Sequence, residues 1–327
     1  MAGMGKRMRP HTLTIPKPLI NIAGKPIVQR LSEGIVKVAG QNVDEIAFII
    51  GDFGEEVETT LVRIAESLGA KGSIYYQREA LGTAHAIHCA ADSLKGNVIV
   101  AFADTLFDAD FKLDAEKDGI IWTHKVADPS AFGVVKKDEE GIITDFVEKP
   151  KDFVSDEAII GIYYFRDGEN LRSELQYLMD NNVVKGGEYQ LTDALENMKQ
   201  KGLKFYSGQV KEWLDCGNKD ATVYTNNRSL ELIKDEVLVS KSLKMTNSQV
   251  IEPCYIGENV ILENSIIGPH VSVGANTKIS NSIIKNSIIG SESDIAGAHI
   301  DNSMIGNSVV YHKAAADLSL GDFSTQK

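Results

Sequence analysis

Residues 45–51 read Glu-Ile-Ala-Phe-Ile-Ile-Gly, a continuous apolar run bounded by a charged residue and a glycine. Such a run, without polar alternation, is typical of a strand buried on both faces of a parallel sheet. Apolar residues recur at helical spacing on both sides of it, over 25–38 and 55–68. A buried strand between two amphipathic helices predicts an α/β layer arrangement.

The same alternation continues through strand-like residues 73–77, a helix over 82–94 and a buried strand over 97–102. We therefore expect a doubly wound, Rossmann-like sheet with ligands at the carboxyl ends of its strands. Further along, the pattern predicts short strands over 120–126, 133–136, 142–148, 159–164 and 203–206, and helices over 169–179, 192–199 and 218–234.

Beyond residue 247 apolar residues recur every five or six positions, with Gly, Asn and Ser between them. The series is Ile256, Leu262, Ile267, Val273, Ile279, Ile284, Ile289, Ile295, Ile300 and Ile305. A period near six predicts a parallel β-helix in which each coil stacks on the next. The expected organisation is an α/β domain over 1–228, a linker helix over 229–246, a β-helix over 247–314 and a tail over 315–327.

The composition excludes several functional classes. The chain has 327 residues, is 43% hydrophobic and carries a formal net charge of −12, which disfavours nonspecific nucleic-acid binding. Its three cysteines form no C-x-x-C pair, as expected of a protein from a reducing compartment. No segment resembles a signal peptide or a transmembrane helix, so we expect a cytoplasmic protein without membrane or nucleic-acid partners.

The first residues form a basic glycine-bearing loop, Ala2-Gly3-Met4-Gly5-Lys6-Arg7-Met8-Arg9-Pro10, followed by Lys17. Glycines let a backbone approach an anion, and the cations of an otherwise acidic chain make polyphosphate the expected anion. The spacing fits neither a nucleotide P-loop nor a dinucleotide fingerprint. A solvated basic turn is the alternative.

Such a loop normally follows a strand, but the sequence begins at Met1, almost inside the loop. We therefore expect the first strand of the α/β domain to be missing from these residues, and a missing central strand would leave backbone groups unpaired.

Four later segments carry further candidates. Asp104 ends a buried strand and Asp215 precedes Gly217, and one or two such carboxylates commonly hold a divalent cation beside phosphate. Capping roles are the alternative for each aspartate. Glu148-Lys149-Pro150 places a cation after a strand, and residues 77–84 join a strand to a helix where Gln77 could read a base edge. His85 and His88, on the third predicted helix, are assigned no metal.

In this order the segments resemble the sugar-1-phosphate nucleotidylyltransferases, glucose-1-phosphate thymidylyltransferase-like members included. The family's G-x-G-[TS]-R-[LM]-x-P…P-K signature corresponds to residues 3–10 and 16–17, with Lys6 in place of Thr or Ser. The other matching segments are Q-x-x-x-x-G-T-A at 77–84, the metal aspartate at 104, F-x-G-V-V at 132–135, V-E-K-P at 147–150, E-Y-x-L-T-D at 188–193 and W-L-D-x-G at 213–217. A C-terminal left-handed hexapeptide β-helix is common among members.

The resemblance implies transfer of a nucleotidyl group from a nucleoside triphosphate to a sugar 1-phosphate, with release of pyrophosphate. It implies catalytic roles for Arg7, Lys17 and Lys149, and Mg²⁺ ligation by Asp104 and Asp215. The implied nucleotide-binding residues are Gly3, Gly5, Gln77, Gly82 and Thr83, and the implied sugar-binding residues are Gly133, Glu148 and Glu188.

The sequence does not determine which nucleotide and which sugar are the substrates. dTTP or UTP with glucose 1-phosphate is favoured, whereas N-acetylglucosamine-1-phosphate uridylyltransferase and mannose-1-phosphate guanylyltransferase activities are alternatives. A second active site in the β-helix, an acyltransferase using His270, His299 or His312, is a further alternative, as is a regulatory paralogue that binds nucleotide-sugar without turnover. We expect the β-helix to form a homo-oligomer.

Overall fold

The computed structural model describes residues 5–110, 112–314 and Ser319, and these residues form two compact units. One unit comprises residues 5–20 and Lys25–Gly217, and the other comprises Asn21–Gly24 and the residues from Asn218. The predicted boundary at residue 228 therefore differs from the division at Gly217, because the helix that follows Gly217 belongs to the second unit. The predicted tail over 315–327 lies outside the described residues, apart from Ser319.

Helices and strands alternate along the first 217 residues. The helices are α1 (Ile27–Ala39), α2 (Glu55–Ser67), α3 (Thr83–His88), α4 (Gly168–Asp180) and α5 (Leu191–Gln200), with short 3-10 turns at Lys6–Met8, His11–Leu13, Lys17–Leu19 and Ala91–Ser93. The strands are β1 (Asn21–Ile22), β2 (Lys25–Pro26), β3 (Glu45–Ile50), β4 (Lys71–Tyr76), β5 (Val98–Ala101), β6 (Thr105–Asp108), β7 (Gly119–Lys125), β8 (Gly133–Lys137), β9 (Ile143–Glu148), β10 (Glu157–Phe165), β11 (Phe205–Gln209) and β12 (Glu212–Asp215). The predicted third helix over 82–94 is shorter than expected, since α3 ends at His88.

The central sheet has the strand order β11-β7-β10-β8-β9, and β5 also pairs with β10. The sheet is mixed, because β10 runs antiparallel to β5, β7 and β8 while β11 runs parallel to β7. All nine residues of β10 are buried. The α/β, Rossmann-like class predicted from the sequence is confirmed. β3 and β4 form a separate parallel pair.

A glycine in the middle of β10 contacts the turn that contains Asp104. Gly161 has φ +82°, and a Cβ there would lie 2.9 Å from Cδ2 of Phe102. Its carbonyl accepts from the Phe102 N–H at 2.9 Å, and the neighbouring Ile160 carbonyl accepts from Thr105 Oγ1 at 2.8 Å. Because two bonds hold residues 102 and 105, the turn between β5 and β6 is anchored on both sides of Asp104.

The second unit is a parallel β-solenoid preceded by a helix. Its strands are β13 (Lys244–Thr246), β14 (Gln249–Val250), β15 (Cys254–Ile256), β16 (Ile261–Glu263), β17 (Ile266–Ile267), β18 (Val271–Val273), β19 (Lys278–Ser280), β20 (Ile283–Ile284), β21 (Ser287–Ile289), β22 (Asp294–Ala296), β23 (His299–Ile300), β24 (Met304–Ile305) and β25 (Val310–His312). They form parallel ladders of five, four and four strands. The predicted apolar series lines the interior, where Leu262, Ile279 and Ile295 are stacked in register and fully buried.

Asparagines occupy the corners of the coils in a left-handed backbone conformation that they tolerate better than most residues. Asn247 Nδ2 donates to Asn264 Oδ1 at 3.0 Å, and Asn264 Nδ2 donates to Asn281 Oδ1 at 3.3 Å. The repeat that the sequence displays is therefore also a repeat of side-chain hydrogen bonds.

Helix α6 (Lys219–Leu232) precedes the solenoid and packs on its strands. The Asn218 side chain caps its first turn by accepting from Ala221 N at 3.0 Å, and buried Asn226 accepts from Ser272 Oγ at 2.7 Å. The expected linker helix over 229–246 is wrong for most of its length, because α6 ends at Leu232 and β13 begins at Lys244. Among the described helices, none is both long and apolar enough to cross a membrane.

Candidate active site

The glycine loop folds into a compact turn around Gly5, which has φ +55°. The Gly5 carbonyl accepts from Met8 N at 2.8 Å and from Thr12 Oγ1 at 2.8 Å. A Cβ on Gly5 would lie 3.0 Å from Thr12 Cγ2 and 3.3 Å from Lys17 Cβ. Glycine is therefore required here both by the backbone conformation and by the close approach of Lys17. Gly3 lies outside the described residues, and the role of Thr12 was missed by the sequence reasoning.

The two predicted metal ligands lie on neighbouring strand ends. In the antiparallel pair of β6 and β12, Asp215 is opposite Thr105, and the Cys216 N–H donates to the Asp104 carbonyl at 2.9 Å. Lys17 Nζ contacts Asp104 Oδ2 at 2.6 Å, and only 14% of the lysine side chain is exposed. The β6–β12 pairing, which the sequence did not predict, thus brings Asp104 and Asp215 together.

The pKa of the Asp215 carboxyl is shifted by its burial and by the charged groups around it. Partial burial, followed by the charge of Asp104, raises the pKa of the Asp215 carboxyl, while the Gly217 N–H at 3.0 Å and the cations Lys17 and Arg7 act to lower this pKa. A Cβ on Gly217 would lie 3.0 Å from both Asp215 carboxylate oxygens and 3.2 Å from Arg7 Nη2. The small residue thus leaves room for the arginine to reach the aspartate.

These residues fit a divalent cation. The charge of Asp104 raises the proton affinity of Asp215, so the two carboxylates lie near one another, and hard cations such as Mg²⁺ take oxygen ligands of this kind. No group of three or more His, Cys, Asp and Glu side chains in the described part of the chain is arranged to hold a metal. A cation bound by Asp104 and Asp215 would therefore complete its shell with water or with substrate oxygens, as Mg²⁺ at phosphate sites commonly does.

The segment at 77–84 forms a second cluster. Gln77, 9% exposed, donates from Nε2 to the Gly82 carbonyl at 3.0 Å and lies 3.1 Å from His85 Nδ1. Gly82 has φ +107°, and a Cβ there would lie 2.4 Å from the Tyr189 carbonyl oxygen. The Thr83 hydroxyl accepts from Leu191 N at 3.0 Å. Residues 82 and 83 are therefore packed against the segment that carries Glu188.

The predicted sugar-binding residues form a cluster of carboxylates. Gly133 is opposite Glu148 in the β8–β9 pair, and its Cβ position lies 3.0 Å from Glu148 Oε2. Burial raises the pKa of Glu148 although a third of the side chain is exposed; Lys149 lowers this pKa, and the charges of Asp193 and Glu188 raise it. Lys149, with φ +42° and Nζ 3.8 Å from Glu148 Oε1, is 65% exposed.

Lys185, which the sequence did not single out, and Asp193, the last residue of the E-Y-x-L-T-D segment, hold this cluster in place. Lys185 forms an ion pair with Oδ1 of buried Asp193, while Asp193 Oδ2 is buried without a hydrogen-bond partner. Lys185 and Glu188 also exchange backbone hydrogen bonds of 3.0 and 3.2 Å across a tight turn. The loop bearing Glu188 is thereby tied to the first turn of α5. The Gly186-Gly187 pair was the available signal for this turn.

The core connects the carboxylate cluster to the aspartate pair. Burial and the charge of Glu148 raise the pKa of Tyr163, whose ring centroid lies 5.7 Å from that of Phe102. Phe102 precedes Asp104 by two residues. The arrangement therefore offers a cationic and carboxylate end suited to polyphosphate and metal, and a neutral and acidic end suited to a base and a sugar. The chemistry of these groups suits an enzyme that transfers phosphate-linked groups.

Comparison with known proteins agrees with this class. Residues 1–231 match the family described as nucleotidyl transferase, and the chain belongs to it. A glucose-1-phosphate thymidylyltransferase of Streptomyces antibioticus is 30% identical over 94% of this chain and 90% of its own length. The bifunctional protein GlmU of Methanococcus maripaludis is 29% identical over 91% of this chain and 71% of its own length. The solved structure of a UDP-glucose pyrophosphorylase complexed with UDP-glucose, 25% identical, matches with a TM-score of 0.57 over 71% of this chain and 96% of its own.

Proposed function

We propose that the enzyme transfers a nucleotidyl group from dTTP or UTP to glucose 1-phosphate, giving a nucleotide-sugar and pyrophosphate. The convergence of Asp104 and Asp215 with Lys17 and Arg7 is the observation that carries this proposal. Paired cations and carboxylates around one point suit a reaction between two polyanions that share a metal ion.

The chemistry is a displacement at phosphorus. An oxygen of the sugar phosphate attacks the α-phosphorus of the triphosphate, and the bond between that phosphorus and the α–β bridging oxygen breaks as pyrophosphate leaves. No protein nucleophile is needed, so the protein acts by aligning the reactants and neutralising charge. Arg7 and the backbone around Gly3 and Gly5 hold the β- and γ-phosphates, and Lys17 neutralises charge near the reacting phosphates.

Asp104 and Asp215 would hold Mg²⁺. When bound, the ion would withdraw charge from phosphoryl oxygens and so assist the departure of pyrophosphate from the α-phosphorus. Lys17 holds Asp104 Oδ2, which fixes one carboxylate before substrate arrives. The Gly217 N–H does the same for Asp215 Oδ1 at 3.0 Å.

Lys149 binds the phosphate of the sugar 1-phosphate, and its 65% exposure leaves it accessible to a ligand. Glu148 and Glu188 accept hydrogen bonds from sugar hydroxyls, and Gly133 leaves space beside Glu148. Gln77, Gly82 and Thr83 line the base-binding end.

The choice of glucose 1-phosphate and of a thymine or uracil base rests on the thymidylyltransferase relative and on the Gln77 carboxamide. N-acetylglucosamine 1-phosphate with UTP and mannose 1-phosphate with GTP are the competing substrate pairs. We assign the enzyme to the cytoplasm and expect the solenoid to mediate a homo-oligomer, which light scattering on the purified chain tests.

Pyrophosphate release over a matrix of dTTP, UTP, GTP, CTP and ATP with glucose, N-acetylglucosamine, mannose and glucosamine 1-phosphates tests the proposal. The highest kcat/KM is expected for dTTP or UTP with glucose 1-phosphate. Asp104→Asn provides the inactive control. Thiol release from acetyl-CoA with glucosamine 1-phosphate would identify an acyltransferase, and nucleotide-sugar binding without turnover would identify a regulatory protein.

A further inference from the structure

The orientation of one carboxamide is fixed by two acceptors. Gln77 Nε2 lies 3.0 Å from the Gly82 carbonyl oxygen and 3.1 Å from His85 Nδ1. A carbonyl oxygen can only accept, so the opposite orientation, with Oε1 against Gly82, would place two acceptors together. Nε2 therefore faces Gly82, and His85 completes the pair by accepting its second hydrogen.

The histidine must be neutral at Nδ1 to accept this bond, which places its proton on Nε2. Burial, with a smaller contribution from His88, lowers the pKa of His85, and Glu79 acts in the opposite direction. The ring is therefore neutral at physiological pH, as the hydrogen bond requires.

Both amide hydrogens of Gln77 are donated to acceptors within the protein. Only Oε1, a hydrogen-bond acceptor, is therefore left for a ligand. In the described ranges 5–110 and 112–314, Oε1 takes part in no hydrogen bond. Uracil and thymine carry an N–H at position 3 that can donate to this oxygen, whereas N3 of cytosine is itself an acceptor. When N3 of the base lies against Oε1, cytosine puts two acceptors together and its binding is weakened, so in that pose this orientation of the carboxamide favours uracil and thymine over cytosine.

We propose that His85 is a positioning residue for base selectivity, which holds the Gln77 carboxamide so that Oε1 faces the nucleotide. The inference rests on the proposed function, because it assumes that the nucleotide base binds at Gln77. It concerns a residue that acts through Gln77.

The test compares UTP with CTP, which differ at positions 3 and 4 of the base, using one sugar 1-phosphate. In His85→Leu the ratio of kcat/KM for UTP to that for CTP is expected to fall about tenfold, as for the loss of one hydrogen bond to a specificity group. His85→Asn places an amide oxygen near the position of Nδ1 and is expected to restore the ratio to within about threefold of wild type.

His88→Leu is the matched control. His88 lies on the same helix, but its Nε2 contacts Gln176 Oε1 at 2.8 Å, so its loss is expected to leave the UTP/CTP ratio unchanged. An unchanged ratio in His85→Leu, or an equal fall in both leucine variants, would overturn the role of His85.

Equilibrium binding of UMP and CMP, measured by calorimetry on the same proteins, separates this inference from the proposed function. Selective UMP binding that is lost in His85→Leu supports the inference even if the enzyme shows no turnover, a result that would refute the proposed function alone. Turnover with unaltered selectivity in His85→Leu refutes the inference alone, and failure of wild type to bind either nucleotide refutes both.

Discussion

In the solenoid, the Ser265 hydroxyl accepts from Ser282 N at 3.1 Å and donates to the Glu263 carbonyl at 2.8 Å, and the same pattern recurs one coil away. In the nucleotidyltransferase unit, by contrast, Asp104 and Asp215 lie close enough that the charge of the first raises the pKa of the second. Glu148 likewise lies near the like charges of Asp193 and Glu188. The solenoid pairs its polar groups repeatedly, whereas the nucleotidyltransferase unit also places carboxylates of like charge near one another.

This difference distinguishes residues that stabilise the fold from residues that the proposed function assigns to a ligand. Repulsion between carboxylates lowers the stability of the folded protein, and a cation or a sugar hydroxyl can offset it on binding. Substitutions at the carboxylates are therefore expected to change activity more than stability. Substitutions in the serine ladder, the serines such as Ser265 and Ser282 whose hydroxyls accept from an N–H of the next coil, are expected to do the reverse.

The largest effect is expected for Asp104→Asn. Loss of one of two carboxylates for the cation should lower kcat by roughly 10³-fold, equivalent to several kcal/mol of transition-state stabilisation. Pyrophosphate release checks the rate, and far-UV circular dichroism should show an unchanged fold. Turnover within tenfold of wild type would contradict the assignment of Asp104 to the metal.

Arg7→Ala comes next. Its guanidinium lies beside Asp215, on the side where pyrophosphate is proposed to leave, so its removal should cost about 2.7–4 kcal/mol of transition-state stabilisation, or roughly 10²–10³ in kcat. Arg9→Ala, in the same loop, is the control for general loss of positive charge and should stay within about threefold of wild type. Equal losses in the two variants would mean that Arg7 acts only through the net charge of the loop.

Glu148→Gln is expected to raise KM for the sugar 1-phosphate by about tenfold, since hydrogen bonds to a charged acceptor are stronger than those to an amide. The pKa of Glu148 is raised from its ordinary value of 4.5, so in wild type KM should rise as the pH falls through a value above 4.5. The glutamine variant should lose this pH dependence.

The same substitution should slightly increase stability at neutral pH. A carboxyl whose pKa is raised on folding stabilises the protein most below its unfolded pKa and loses this contribution as the pH rises through the folded pKa. Glu148→Gln should therefore unfold at higher temperature than wild type at pH 7, and the difference should vanish below about pH 4. A lower melting temperature at pH 7 would show that Glu148 is structural.

Lys185→Met tests the ion pair with Asp193, and Lys201→Met is its match. Lys201 pairs with Glu174, which is also buried and also has one oxygen without a hydrogen-bond partner. Both variants should lose about 1 kcal/mol of unfolding free energy, since each lysine is largely exposed. Only Lys185→Met should also raise KM for the sugar 1-phosphate, by about threefold, because only that pair anchors the loop of Glu188. Equal KM values for the sugar 1-phosphate in the two variants would show that Lys185 plays no part in sugar binding.

Sequence periodicity was sufficient to predict α1, α2, β3 and the buried series from Ile256 to Ile305, because burial imposes a spacing on apolar residues. It could not predict that β10 runs antiparallel to its neighbours, since a fully buried strand looks the same in either direction. The pairing of β6 with β12 was also missed, although it is what brings Asp104 and Asp215 together. Motif resemblance had placed both aspartates in one site, but the roles of Thr12, Lys185 and His85 depend on contacts between distant residues.

Ser265→Ala is expected to have the smallest effect on activity. The variant leaves the buried Ser282 N–H without its acceptor, which should cost about 1–3 kcal/mol of stability, while kcat/KM stays at the wild-type value. Ser303→Ala is the control: its hydroxyl donates to the Asp301 carbonyl at 2.8 Å and, in the described coils, accepts from no amide of a following coil. The melting temperature of Ser265→Ala should therefore lie below that of Ser303→Ala, whose hydroxyl makes no such bond in the described coils. If Ser265→Ala reduced kcat while its melting temperature matched that of Ser303→Ala, the division between a stabilising unit and a catalytic unit would be wrong, because a ladder residue would then act on turnover without acting on the fold.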